Sequence, residues 1–243
     1  MLAGDSTVYL AIVDGTGDFG DESYAASMRN SFCMQMAGRV AGESRSGGVH
    51  THYQRGPSLE GYRVSDKAAL ASAFLRRAHK AQPDSRLMLA GYSRGGSSAI
   101  MAAEQLAHDK IPIHGMFLFD PVARHASSGG EVIPANVQKV WVARRSQDPA
   151  MIAKYEPLDV PVLRLVTSNP MRPSFGGTGR KYLGERHNLH EQTFPGSHGA
   201  LGGVGWAKVT EDKACQRQVA SWMSHAMRSV HLPIALVSHA PVG

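Results

Sequence analysis

The apolar positions along the chain alternate between short continuous runs and longer runs with helical spacing. Short β-branched runs predict strands, and apolar residues repeating near every 3.6 positions predict helices. We expect strands at 8–13, 49–54, 86–90, 115–119, 137–143 and 160–166. We expect helices at 24–40, from a Ser65 cap to about residue 80, at 97–108 and at 211–230. Alternating strands and helices are typical of an α/β fold with a mainly parallel central sheet flanked by helices.

Length and composition agree with this class. A chain of 243 residues suits one domain, so we treat 1–243 as a single unit. Apolar residues make up 42% and charged residues 19%, which is ordinary globular composition. No run approaches the roughly 20 apolar residues that cross a membrane, and no signal peptide is visible. We therefore expect a cytoplasmic protein, or one secreted by a Sec-independent route.

The formal net charge of +6 favours anionic partners. The basic residues are scattered as doublets without interleaved aromatic residues, so we expect no nucleic-acid partner. The two cysteines form no CxxC pair, and no complete phosphate-binding glycine motif occurs. We expect neither a metal site nor a cofactor.

The strongest chemical signal is the segment Gly-Tyr-Ser-Arg-Gly at 91–95. It lies between a predicted strand and a predicted helix, which is the setting of a nucleophile elbow. Residues two before and two after the nucleophile must be small, because side chains there would collide across the turn, and Gly91 and Gly95 satisfy this. The sequence thus predicts an α/β-hydrolase fold in which Ser93 is the nucleophile.

A serine nucleophile needs a histidine base and an acid, which follow it in this fold in the order acid, then histidine. Of the twelve histidines, His198 lies in a glycine-rich loop suited to close approach, and His187 and His190 are rivals in the same irregular stretch. Asp120 and Asp148 each follow a predicted strand. We favour Asp120 only slightly over Asp148.

An oxyanion hole requires two amides aimed at the reacting carbonyl oxygen. The amide of Arg94 follows the nucleophile, and the turn after the first strand offers Gly15 or Thr16 as the second donor. The chain from 167 to about 205 is irregular in pattern. Its portion at 167–195 is a candidate lid or substrate loop, because loops of this length in compact domains are usually functional.

Together these segments resemble the α/β-hydrolase domain of the type VI secretion lipase effectors and the related bacterial and fungal domain family. The resemblance is carried by Val-Asp-Gly-Thr-Gly-Asp at 13–18, Tyr-Gln-Arg-Gly at 53–56, Gly-Tyr-Ser-Arg-Gly at 91–95, Asp-Pro-Val at 120–122 and Phe-Pro-Gly-Ser-His-Gly-Ala-Leu-Gly-Gly at 194–203. Two features depart from the family. The chain is short, so the large insertions of many family members are missing or reduced. Gly199 and its neighbours stand where the family usually has an acidic residue after the histidine.

The resemblance implies a triad of Ser93, Asp120 and His198 and a lipase or phospholipase activity. It also implies transient contact with a membrane surface, and a secretion apparatus or an immunity protein as partner. Two other functions stay open. One is a soluble esterase or thioesterase with the same machinery, and the other is a hydrolase-like binding module without catalysis.

Overall fold

Six parallel strands form the central sheet, in the order β2-β1-β3-β4-β6-β8. The computed structural model describes residues 6–17, 21–40, 48–57, 63–123, 129–146, 177–204 and 209–239. The strands are β1 (Val8–Val13), β2 (Val49–Gln54), β3 (Arg86–Tyr92), β4 (Gly115–Phe119), β5 (Val132–Ile133), β6 (Val140–Arg145), β7 (Lys181–Tyr182) and β8 (Leu189–Phe194). The short strands β5 and β7 pair separately. The expected mainly parallel sheet is confirmed.

Helices cover both faces of this sheet. They are α1 (Asp21–Met28), α2 (Phe32–Val40), α3 (Val64–Ala81), α4 (Arg94–His108), α5 (His198–Gly202) and α6 (Val209–Ser229). Alternate strand residues point to opposite faces. Leu10, Ile12 and Met88 therefore pack with α1, α2 and α6, whereas Ala11 and Leu89 pack with α3 and α4.

The helix expected at 24–40 is two helices, because Ser31 interrupts it. The Ser31 hydroxyl accepts the amide of Met34 at 2.9 Å, and thus satisfies a free donor at the start of α2. The chain reaches Ser31 through a turn in which its amide donates to the carbonyl of Met28. The continuous apolar spacing hid this break.

The expected Ser65 cap is wrong. Helix α3 begins at Val64, and the residue at its cap position is Arg63, two residues before Ser65, with a positive φ of 71°. Val64 is fully buried, and its carbonyl accepts the Ser98 hydroxyl of α4 at 3.1 Å. Packing between the two helices therefore fixes the start of α3, and Ser65 lies in its first turn.

The stretch expected to be irregular contains β8, which pairs with β6 in parallel register from Leu189 to Phe194. Its central side chains are exposed and polar because it is an edge strand, so no apolar run announced it. The expected strand at 160–166 and the first part of the candidate lid, 167–176, lie outside the described residues. The described part of the lid is 177–195, which includes β7 and β8.

Cys33 and Cys215 are both buried and unbridged. In the part of the chain that the structure describes, no helix is both long and apolar enough to cross a membrane.

Candidate active site

Ser93 occupies a sharp turn between β3 and α4, at the carboxyl edge of the sheet. Its backbone has φ 56° and ψ −129°, a conformation that residues other than glycine rarely adopt. Three backbone hydrogen bonds hold it there. The Ser93 amide donates to the Phe119 carbonyl at 3.1 Å, and the Ser93 carbonyl accepts the amides of Gly96 at 3.0 Å and Val122 at 2.9 Å. Neighbouring strand β4 thus enforces the strained turn.

The two glycines that flank the turn are required for different reasons. A Cβ on Gly91 would collide with the carbonyl of Gly95, as expected for a contact across the turn. A Cβ on Gly95 would instead collide with the carbonyls of Val13 and Asp14 at the end of β1. Gly95 therefore permits α4 to start close against the neighbouring strand.

His198 is the first residue of α5, directly after the loop that follows β8. Ser197 caps this short helix, and its hydroxyl accepts the Ala200 amide at 3.3 Å. The fully buried Asp212 of α6 accepts both the amide and the hydroxyl of Ser197, each at 2.8 Å. Helix α6 thus anchors the residue next to the imidazole.

The structure brings Ser93, His198 and Asp120 into one hydrogen-bonded chain. His198 Nε2 is 2.9 Å from Ser93 Oγ, and His198 Nδ1 is 2.7 Å from Asp120 Oδ2. In the neutral tautomer that fits both contacts, Nδ1–H donates to the carboxylate and Nε2 accepts the serine proton. The imidazole remains 16% exposed, while the carboxylate is nearly covered. In this geometry the imidazole can take the serine proton while the carboxylate orients the ring.

Asp120 lies at the end of β4, as expected, with a positive φ of 39°. Burial alone would raise the pKa of its carboxyl. The Arg145 guanidinium and the His198 hydrogen bond outweigh burial and hold that pKa below its usual value. Asp120 is therefore ionised at neutral pH. The rival acid Asp148 lies outside the described residues.

The two rival histidines lie elsewhere. His187 is in a 3-10 turn spanning Arg186–Asn188, and His190 is on β8, where its ring stacks on Trp141 with centroids 5.3 Å apart. Among the described residues, neither histidine makes a hydrogen bond to Ser93. The same part of the chain contains no group of three His, Cys, Asp or Glu side chains that could hold a metal ion.

Tyr92 contacts both the backbone and the ring of His198, a role that the sequence did not indicate. Its hydroxyl donates to the His198 carbonyl at 3.1 Å, and its ring lies 4.9 Å from the imidazole between centroids. A Cβ added to Gly15 or to Gly202 would collide with this ring. The ring is thus clamped between the first-strand turn and α5.

The turn after β1 is held by a buried carboxylate, Asp14. It accepts hydrogen bonds from the Gly15 amide at 2.7 Å, from the Tyr53 hydroxyl at 2.8 Å and from the Ser31 hydroxyl. Burial raises the pKa of the Asp14 carboxyl to about 6, although these hydrogen bonds lower it. The turn also contacts the serine elbow, because Nη1 of Arg94 lies 3.4 Å from the Thr16 hydroxyl.

A second bridge ties the same turn to the strand beside it. The Tyr24 hydroxyl donates to the Gly15 carbonyl and accepts the Gly56 amide, both at 2.8 Å. The sequence pattern singled out the Asp-Gly-Thr turn, but nothing in it indicated that Tyr24 and Tyr53 would support it.

Comparison with known proteins finds solved structures at low sequence identity. No protein-family model matches the sequence, and no curated protein sequence matches it significantly. Among solved structures, the chain is similar to a cutinase-like protein from Cryptococcus sp. at 12% identity and TM-score 0.45, covering 96% of this chain and 98% of that one. It is also similar to an α/β serine hydrolase without a lid from Xanthomonas campestris, at 17% identity and TM-score 0.45, covering 95% and 85%. A third is the NocB thioesterase domain in covalent complex with a fluorophosphonate nocardicin G analogue, at 13% identity and TM-score 0.46, covering 92% and 96%.

The chain's own topology defines its class. A serine elbow stands at the carboxyl edge of a parallel sheet, between β3 and α4. The acid that contacts the histidine and then the histidine itself follow it along the chain. This order of parts belongs to the α/β-hydrolase fold, and that is the fold of this chain.

Proposed function

We propose that the protein is a serine hydrolase that cleaves carboxylic esters through an acyl-enzyme. The observation that supports this most is the pair of hydrogen bonds from His198, one to Ser93 Oγ and one to Asp120 Oδ2. In the proposal Ser93 is the nucleophile, His198 the general base and acid, and Asp120 the group that orients the imidazole.

The reaction proceeds in two halves. Ser93 Oγ attacks the ester carbonyl carbon while His198 Nε2 takes the hydroxyl proton. The tetrahedral intermediate collapses, the bond to the leaving oxygen breaks, and His198 returns the proton to the departing alcohol. Water then attacks the acyl-enzyme with His198 again as base, which releases the carboxylic acid and restores Ser93.

The oxyanion needs two donors, and the first is the amide of Arg94 at the start of α4. Gly15 and Thr16 are the two candidates for the second donor. The Gly15 amide already donates to the Asp14 carboxylate at 2.7 Å. This occupation favours the Thr16 amide, whose residue also contacts the Arg94 side chain.

We further propose that the ester is a lipid or phospholipid acyl ester. The support is the resemblance to the type VI secretion lipase effectors, together with the Asp-Gly-Thr turn and the histidine loop that carry it. The same resemblance supports a role as a secreted antibacterial effector. An excess of positive charge is compatible with transient contact with an anionic membrane surface.

A panel of substrates tests both levels. We would measure hydrolysis of p-nitrophenyl esters from acetate to palmitate, of an acyl-coenzyme A thioester, and of phosphatidylglycerol and phosphatidylcholine vesicles. We expect turnover that falls on the order of 10³-fold or more in Ser93→Ala and His198→Ala. Fatty acid release from vesicles supports a phospholipase. Turnover confined to short soluble esters or to the thioester would overturn the lipid assignment and leave the hydrolase, whereas no turnover of any ester would contradict the hydrolase itself.

A further inference from the structure

The Asp120 carboxylate contacts an arginine as well as the histidine. Its Oδ2 atom lies 2.7 Å from His198 Nδ1 and 3.1 Å from Arg145 Nε. The Arg145 amide also donates to Asp120 Oδ1 at 3.3 Å. The two side chains of this ion pair are only 5% and 4% exposed. An arginine this buried must be matched by a counter-charge, and here that charge is the proposed triad acid.

Sheet register places Arg145 at this point. Strand β4 pairs with β6 so that Phe119 lies opposite Ala143, and the Asp120 amide donates to the Ala143 carbonyl at 2.8 Å. Two residues later β6 ends at Arg145, which lies opposite Phe194 of β8. The Arg145 guanidinium and the histidine loop therefore contact the same carboxylate. The backbone of its residue, Asp120, has a positive φ.

We propose that Arg145 is a positioning residue of the active site, which holds Asp120 in place and lowers the pH at which His198 becomes a base. The proposal rests on the function proposed above. The physical reason is charge balance. A lone carboxylate stabilises the imidazolium, whereas an arginine on the same oxygen cancels part of that stabilisation.

The size of the effect follows from the shared oxygen. Guanidinium and imidazole that contact one atom lie within about 6 Å of each other, where two charges at an effective dielectric constant of ~20 interact by roughly one to two pKa units.

Four other ionisable groups lie around the carboxylate: Tyr92, Cys215, Asp212 and Asp14. Tyr92 on β3 and Cys215 on α6 both feel the Asp120 charge, and burial raises the pKa of each, that of Cys215 to about 12. Asp212 on α6 holds Ser197. Asp14, whose pKa burial raises to about 6, lies beyond Tyr92 and contributes alike to every variant discussed below.

Arg144, the residue before, is a matched control. It lies on the same strand with a side chain that is also 4% exposed. Its guanidinium is held by Glu191 and by the carbonyls of Thr178 and Gly179, at 2.8 Å and 2.9 Å for the two carbonyls. It therefore matches Arg145 in burial and chemistry, but it makes no hydrogen bond to the triad and interacts with the Asp120 carboxylate through its charge alone.

The test is the pH dependence of labelling by a fluorophosphonate, which reports the base without requiring the natural substrate. The labelling rate rises with pH as His198 loses its proton. In Arg145→Met we expect the midpoint to move upward by about one to two pH units. In Arg145→Lys, which keeps the charge, and in Arg144→Met we expect it to stay within a few tenths of a unit of wild type.

The midpoint of the labelling rate decides between a positioning and a structural role for Arg145. An unshifted midpoint in folded Arg145→Met, or an equal shift in Arg144→Met, would overturn the proposal and leave Arg145 a structural residue. If Arg145→Met does not fold, Arg145→Gln carries the same expectation, since it keeps a donor but loses the charge. If both neutral variants fail to fold, a midpoint in Arg145→Lys that departs from wild type by a unit overturns it. Failure of the wild type to label at Ser93 would instead contradict the proposed function.

Discussion

Gly202 lies against the face of the Tyr92 ring, where a single methyl group would have no room. A Cβ at this position would overlap ring atoms of Tyr92, whose side chain is almost fully buried. Gly202 is in α5 without a positive φ, so alanine fits the backbone and would by itself favour the helix by about 0.5–1 kcal/mol. Forcing a buried ring to move costs about 1–3 kcal/mol, which is the larger effect. We therefore expect Gly202→Ala to lower the free energy of unfolding by about 1–2 kcal/mol.

The same substitution should reach the reactive centre. The Tyr92 ring packs on the His198 imidazole and its hydroxyl holds the His198 carbonyl, so a displaced ring displaces the base. A shift near 1 Å lowers catalysis by about 10²-fold, and we expect a loss of about 10- to 100-fold in the rate of fluorophosphonate labelling. The assay pairs this rate with the midpoint of urea unfolding.

Gly38→Ala is the control, because a Cβ at Gly38 in α2 would meet no atom within 4 Å. It should raise stability by about 0.5–1 kcal/mol and leave labelling unchanged. In the double variant Gly202→Ala with Tyr92→Leu the two effects should not add, since removal of the ring makes room for the methyl group. Equal stability and equal labelling in Gly202→Ala and Gly38→Ala would refute the clamp around Tyr92.

The remaining predictions concern buried acids and backbone strain. The pKa of Asp14 is raised to about 6 in the folded state, so its stabilising contribution is complete below its unfolded pKa near 4 and is lost as pH rises through 6. We would measure the free energy of unfolding in urea from pH 4 to 8. The stability of Asp14→Asn relative to wild type should rise by about 3 kcal/mol over this range, because only the wild type loses the contribution of Asp14. A difference that does not change with pH would contradict a raised pKa. Asp212→Ala should lower the free energy of unfolding by about 3–5 kcal/mol and remove most of the labelling, because Ser197 loses two charged hydrogen bonds. Unchanged melting of Asp212→Ala in calorimetry would contradict this anchor. Neither Ser93→Gly nor Ser93→Ala should label. In urea unfolding, Ser93→Gly should be more stable than Ser93→Ala by about 1 kcal/mol, because glycine adopts the positive φ without strain. Equal stability of the two variants would mean that the turn stores no strain.

The elements that were readable from the sequence are those whose local pattern agrees with their burial. Strands β1, β3 and β4 are apolar runs buried on both faces, as central parallel strands must be. Strand β8 was not predicted, because an exposed edge strand requires no apolar pattern. Its place is set by hydrogen bonding to β6. The starts of α2 and α3 depend on contacts that Ser31 and Val64 make with distant parts of the chain.

The candidate site divides in the same way. Ser93 could be read locally because the elbow is a local structure with a steric rule for its glycines. His198 could be ranked first from its loop, but only the fold brings it to Ser93 across more than a hundred residues of sequence. The choice between Asp120 and Asp148 could not be made from spacing, since both follow strands. The supporting groups Arg145 and Asp212 had no sequence signal, because a buried charge is recognised only by the partner that folding places against it.

The identity of the nucleophile is the central claim, and active-site labelling tests it most directly. We would treat the wild type, Ser93→Ala and His198→Ala with a fluorophosphonate probe and locate the adduct by mass spectrometry of the tryptic peptides. We expect a single adduct on Ser93 in the wild type, none in Ser93→Ala, and labelling slowed by about 10³-fold or more in His198→Ala. An adduct on another residue, or equal labelling of Ser93 without His198, would contradict the proposed triad.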